Sequence, residues 1–118
     1  MIVDDEENIL ELVKIIIEGE GFSVIGVHNG KECLEKLKEI KPDLILMDMM
    51  MPEMTGKETT KKIRSNPKTK NIKIAFLTVA RLSEVGREEL KALNVSDYIT
   101  KPFDNADLVK RVKRILED

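Results

Sequence analysis

The chain has one cysteine, no tryptophan, one tyrosine, three phenylalanines and four prolines in 118 residues. A single thiol, Cys33, excludes an internal disulfide framework and fits a reducing compartment. With so few rings, the core has to be built from Ile, Leu, Val and Met. Long apolar runs are missing too: none exceeds four residues, against the ~20 a membrane-spanning helix needs. Asp4, Asp5, Glu6 and Glu7 stand where a secretory leader would carry basic residues and then an apolar stretch. These absences point to a cytoplasmic chain without membrane insertion. Nor is there an excess of positive charge. Twenty Lys and Arg against 22 Asp and Glu leave a net charge of −2, which argues against direct nucleic-acid binding as the main task.

What is present describes one globular domain over residues 1–118. Hydrophobic residues make up 42% and charged residues 36%, a composition that folds, at a length that supports a core without staples. Short β-branched runs occur at residues 2–3, 22–27, 44–47, 72–77 and 98–99. Between them lie segments with helical spacing. Ile9, Leu12, Val13, Ile16 and Ile17 mark the first, ending at Gly19 or Gly21. Leu34, Leu37 and Ile40 mark the second, stopping before Pro42. The third, residues 55–65, is polar with Ile63 as its clear anchor. The fourth, residues 83–93, would bury Val85, Leu90 and Leu93. The fifth, residues 107–116, carries Leu108, Val112, Ile115 and Leu116. Five β-α units with strands too apolar for a solvated face predict a doubly wound α/β fold around a parallel sheet. The first run is short for a strand.

In such sheets, sites form at the carboxyl ends of the strands. Asp4 and Asp5 follow the first strand, Asp48 ends the third, Thr78 follows the fourth, and Lys101 follows the fifth. Taken singly, Asp4-Asp5 reads as a charge cluster at a helix start, Thr78 as a strand residue and Lys101 as a loop lysine. Asp48 is harder to dismiss, because it closes the run Leu44–Met47 and a buried acid needs a partner. Together the residues would gather three carboxylates, a hydroxyl and an ammonium on one rim. Three clustered carboxylates require a raised pKa or a cation. All-oxygen ligands favour Mg²⁺, with Mn²⁺ as the alternative. A metal beside a carboxylate and a lysine suits phosphoryl transfer, with Asp48 as nucleophile.

The segments "IVDDE" at 2–6, "DLILMDMMMPEMTG" at 43–56, "AFLTVA" at 75–80 and "DYITKPF" at 97–103 resemble the receiver domain of two-component response regulators, in order and across the whole chain. The resemblance implies a flavodoxin-like five-stranded sheet of order 2-1-3-4-5 and a phosphorylatable signalling switch, not a turnover enzyme. Asp48 would take a phosphoryl group from a sensor histidine kinase or phosphotransfer protein. Asp5 would bind Mg²⁺ directly, Asp4 mainly through water, and the Met50 main-chain carbonyl would be a further ligand. Lys101 would pair with the phosphoryl oxygens, with Pro102 in a cis peptide that aims it. Thr78 would swing its hydroxyl onto a phosphoryl oxygen, and Tyr98 would turn inward as Thr78 moves. An effector would be met through the fourth helix, fifth strand and fifth helix. Val79 departs from the small residue common after the switch threonine and would narrow access to Asp48. Met50 and Ala80 cannot orient water through their side chains, so slow self-dephosphorylation is expected.

Two other readings remain open at this level. One is a Mg²⁺-dependent phosphohydrolase with an aspartyl-phosphate intermediate, which usually places a second acid where Met50 stands. The other is a receiver-like interaction module that is never phosphorylated. The sequence stops at Asp118 just past the fifth helical segment, so no effector domain is expected within it; the domain would act alone or belong to a longer regulator or hybrid kinase. His28 is read as an ordinary surface histidine, Cys33 as a small hydrophobe on the second helix, and the methionines at 47, 49, 50, 51 and 54 mainly as core filling. "KRVKR" at 110–114 reads as a solvated face completing the last helix.

Overall fold

A computed structural model describes residues 1–79, 88 and 91–117 of the chain. Five parallel strands form one sheet of order β2-β1-β3-β4-β5. They are β1 (Ile2–Val3), β2 (Gly26–Val27), β3 (Leu44–Asp48), β4 (Lys73–Thr78) and β5 (Asp97–Thr100). Among the described residues the helices are α1 (Glu7–Glu18), α2 (Gly30–Lys36), α3 (Gly56–Ser65) and α4 (Asn105–Glu117, the last helical segment of the sequence). The helix expected over 83–93, including Val85 and Leu90, falls largely outside the described residues, as does Ala80; Leu93 is half-buried. No described helix is long and apolar enough to cross a membrane.

The sheet is covered on both faces, as its apolar strands require. Side chains alternate along a strand, so β3 sends Leu44 and Leu46 to one face and Ile45 and Met47 to the other. The first face packs Ile2, Leu46 and Leu77 against Leu10, Val13 and Ile17 of α1 and Leu108, Val112 and Ile115 of α4. The second packs Val3, Ile45, Met47 and Phe76 with Cys33 of α2 and Ile63 of α3. Each large aliphatic side chain buried this way contributes about 1.5–3 kcal/mol relative to exposure.

Local signals set the helix starts. Asn29 caps α2 by accepting from the Glu32 amide at 2.7 Å, and Thr55 and Glu58 form a reciprocal capping box at α3. α3 buries Thr59 and Thr60 besides Ile63, a face that hydropathy does not reveal. Gly30 of α2 meets it: a Cβ there would collide with the Thr59 hydroxyl, so only glycine lets the two helices approach this closely. At its other end, α3 is tied down by Arg64. Its Nε donates to the Leu93 carbonyl at 2.6 Å, and its amino groups donate to the carbonyls of Lys70, Ile72 and Asn94.

Three expectations are corrected. The second strand is Gly26–Val27 rather than residues 22–27, because only these residues lie opposite Ile2 and Val3. α2 ends at Lys36, and Lys38 and Glu39 close tighter three-residue turns instead, bonding to the Glu35 and Lys36 carbonyls. In the run 110–114, Arg111 grips Asp97 through two bonds of 2.9 Å and meets Asp107 at 2.8 Å, while Lys113 pairs with Glu20. That stretch is therefore partly an ion-paired tie to β5 and to the turn after α1 rather than a purely solvated face.

Candidate functional site

Strand register assembles the rim. Val3 lies opposite Met47, so the next residues, Asp4 and Asp48, come side by side. Asp48 lies opposite Leu77 and Thr78 opposite Thr100, which puts the threonine one step beyond the acid. The Lys101 amide donates to the Thr78 carbonyl at 2.7 Å and the Lys101–Pro102 peptide is cis, as the sequence led us to expect. Lys101 Nζ donates to Asp4 Oδ2 at 2.8 Å and lies 3.6 Å from Asp48 Oδ1.

Asp4, Asp5 and Asp48 each bring a carboxylate oxygen within 4.8 Å of the others. Asp4 is fully buried and Asp48 is 4% exposed, whereas Asp5 faces solvent. Backbone amides share the load: Glu6 N–H donates to Asp4 Oδ1 at 2.9 Å and Met50 N–H to Asp48 Oδ1 at 3.2 Å. Gly56 closes the loop after β3 by donating to the Met49 carbonyl at 3.0 Å. Glu53, at φ 67°, takes the left-handed turn within that loop.

Three carboxylates face one ammonium. Burial, then the charge of Asp4, pushes the Asp48 carboxyl up to about 7 against the pull of Lys101 and the Met50 amide. Burial pulls the Lys101 ammonium down, but the hydrogen bond and charge of Asp4, with Asp48 and Glu6 adding, raise it overall. The excess negative charge and the all-oxygen donor set fit a hard divalent cation. Asp4, Asp5 and Asp48 supply the oxygens that could hold it.

The Asp48 shift has a measurable consequence. Its carboxyl is ordinary, near 3.8, when unfolded and near 7 when folded. Between these values the folded chain holds a proton that the unfolded chain has released, so stability falls as pH rises. In metal-free buffer the urea midpoint is expected to drop between pH 5 and pH 8, a loss on the order of a few kcal/mol. Asp48→Asn should flatten that slope and raise the midpoint at pH 8. An equal slope in the variant would remove Asp48 as its source.

The surroundings are mixed. Thr78 is buried beside the site. Met50 and Val79 are 67% and 65% exposed, two apolar side chains on the rim. Met47 and Met51 are buried, so the methionines divide between core and surface. Tyr98 is half-buried and stacks on Phe76 with ring centroids 6.4 Å apart. Sequence reasoning missed the partners of His28, whose Nε2 lies 2.6 Å from Glu7 and Nδ1 3.4 Å from Glu32. The hydrogen bond to Glu7 raises its pKa. The spacing of four between His28 and Glu32 was the available hint.

The response regulator receiver domain model matches residues 1–113. The chain belongs to this family. Over 98% of its length this receiver domain is 37% identical to the phosphate regulon transcriptional regulatory protein PhoB of Rhizobium meliloti and 38% identical to the transcriptional regulatory protein CpxR of Escherichia coli K12. The alignments cover 50% and 48% of those proteins, so the chain spans about half the length of the curated relatives it matches. The chemotaxis protein CheY4 of Vibrio cholerae superposes with a TM-score of 0.89 at 32% identity, over 97% of this chain and 94% of that one.

Proposed function

We propose that this receiver domain accepts a phosphoryl group on Asp48 from the phosphohistidine of a sensor kinase or phosphotransfer protein, and signals through the resulting change of shape. The observation that carries this reading is Asp48 at the end of β3, buried with Asp4 and within 3.6 Å of the Lys101 ammonium. An Asp48 oxygen attacks phosphorus, the P–N bond breaks, and its electron pair returns to the donor imidazole. Only the carboxylate can attack, so charge that lowers the Asp48 pKa activates it. A bound Mg²⁺, or Mn²⁺, would supply such charge and neutralise phosphoryl oxygens. Asp4, Asp5, Asp48 and the Met50 carbonyl are its proposed ligands. Lys101 then meets the phosphoryl oxygens, leaving Asp4 to the cation, and the Thr78 hydroxyl adds a hydrogen bond as Tyr98 packs inward. New charge-assisted contacts bias a two-state equilibrium.

The downstream partner is proposed to be an effector, as in the transcriptional regulators that the chain is similar to, reached through the segment 83–93, β5 and α4. The role is that of a cytoplasmic switch, not a turnover enzyme. Incubation with Mg²⁺ and acetyl phosphate or phosphoramidate should give one adduct of about 80 Da by intact mass. Asp48→Asn should abolish it, and the adduct should decay over minutes rather than seconds. Rapid multiple turnover of phosphate esters would favour a phosphohydrolase instead, and no adduct under any condition would leave an interaction module.

A further inference from the structure

The net charge of −2 hides a strong segregation. Over residues 57–73, six lysines and one arginine stand against a single acid, Glu58, so the rest of the chain keeps only 13 of the 20 bases and 21 of the 22 acids. That stretch is α3 and the turn leading into β4. Glu58 does little to offset it, because its carboxylate accepts from the Thr55 amide in the capping box.

The backbone holds the charges together. The turn after α3 folds back on the helix end. The Thr69 hydroxyl donates to the Ile63 carbonyl at 2.7 Å, and Arg64 donates to the carbonyls of Lys70 and Ile72 at 2.9 and 2.7 Å. Lys68 and Lys70 are thereby carried on a turn clamped to α3, whose last turns bear Lys61 and Lys62. All four lysines are exposed, and none forms an ion pair among the described residues.

The chemistry of this face selects its partner. Protein interfaces centre on aromatic, Met and Arg side chains and are depleted in lysine. Here no large hydrophobic side chain is exposed, and the one guanidinium, Arg64, is occupied by four carbonyls. A lipid surface is disfavoured on related grounds, because a helix lying on a bilayer buries its apolar side there, whereas α3 packs Ile63 against the sheet. A phosphate backbone requires neither rings nor an apolar side, only cations held at ordered positions.

We infer that this lysine face grips the phosphate backbone of a nucleic-acid duplex through Lys61, Lys62, Lys68 and Lys70, without reading its sequence. The acids concentrated elsewhere on the chain turn the domain so that this face leads toward the polyanion. Asp48 plays no part in the contact, which is therefore independent of the phosphoacceptor reading.

Fluorescence anisotropy of a labelled DNA duplex, titrated with the whole chain at salt from about 50 to 200 mM, tests it. Four phosphate contacts predict a slope of log K against log salt of about −3.6, and so a loss of about 10²-fold in affinity across that range. Lys61→Gln, Lys62→Gln, Lys68→Gln and Lys70→Gln together should weaken binding at least about tenfold at the lowest salt and flatten the slope. Arginine at the same four positions should keep both. Lys110→Gln with Arg114→Gln, on α4, should leave the slope unchanged. No binding at the lowest salt would overturn the inference, and so would an unchanged slope in the four-glutamine form. Tighter binding to vesicles with about a third phosphatidylserine than to the duplex would overturn it too, by making a lipid surface the occupant.

Discussion

Lys101→Met is expected to lower stability in metal-free buffer at pH 8 by about 3–5 kcal/mol, the range for removing one partner of a buried ion pair. Asp4 is fully buried and receives the ammonium at 2.8 Å, with Asp48 beside it. Methionine fills the stem's volume and supplies no charge, so two neighbouring carboxylates face each other without their cation. Two rescues should follow from the same physics. Lowering the pH to 5 should protonate one acid, and millimolar Mg²⁺ should restore the midpoint by binding the folded state alone. Phosphoryl labelling should still fall about 10²–10³-fold, as when one preorganised donor to a transition state is removed. Urea unfolding with and without Mg²⁺, followed by labelling rates, separates the two effects. A midpoint unchanged from the parent would mean that the pair contributes nothing.

Gly56→Ala carries the second large effect. A Cβ on Gly56 would collide with the Asp48 carbonyl oxygen and come within 3.0 Å of the Asp48 carbonyl carbon and of Met47 Cγ. The obstruction is backbone, so no side chain can swing aside. Either the end of β3 shifts or the bond from Gly56 N–H to the Met49 carbonyl breaks. The expected loss is about 3 kcal/mol or more, and Asp48 should label poorly even in the folded fraction because its main chain has moved. A stable, normally labelled Gly56→Ala would show that the loop after β3 yields freely.

The site was more legible than the fold around it. Asp48 at the end of the run Leu44–Met47 carries its own warning, because a buried acid demands a partner. Asp4, Thr78 and Lys101 follow from asking what comes after each strand. Strand extents were less readable, since a strand is defined by what lies beside it. Residues 22–25 have β-branched character, yet pairing begins at Gly26, the residue opposite Ile2. The buried face of α3 was hidden for a different reason. Thr59 and Thr60 are polar by any scale, and Thr59 is buried against Gly30 from a distant segment. The Arg64 clasp joins one side chain to four carbonyls on two separate turns, a relation that no local pattern encodes. The Asp97–Arg111 pair is equally non-local, whereas Asp107–Arg111 follows the helical spacing of four.

Cys33 has a practical consequence. It is fully buried in the cluster on the α2 and α3 face, with its thiol 3.8 Å from the Met1 sulfur, and burial pushes its pKa up to about 12. The thiolate is the form that attacks thiol reagents, so the only cysteine in the sequence is chemically silent at neutral pH while the domain stays folded. The native chain is thus a ready background for reporter chemistry. A single cysteine introduced at an exposed position such as Val79 would take a spin label or fluorophore at that position alone, and the rim beside Asp48 could then be followed before and after phosphoryl transfer.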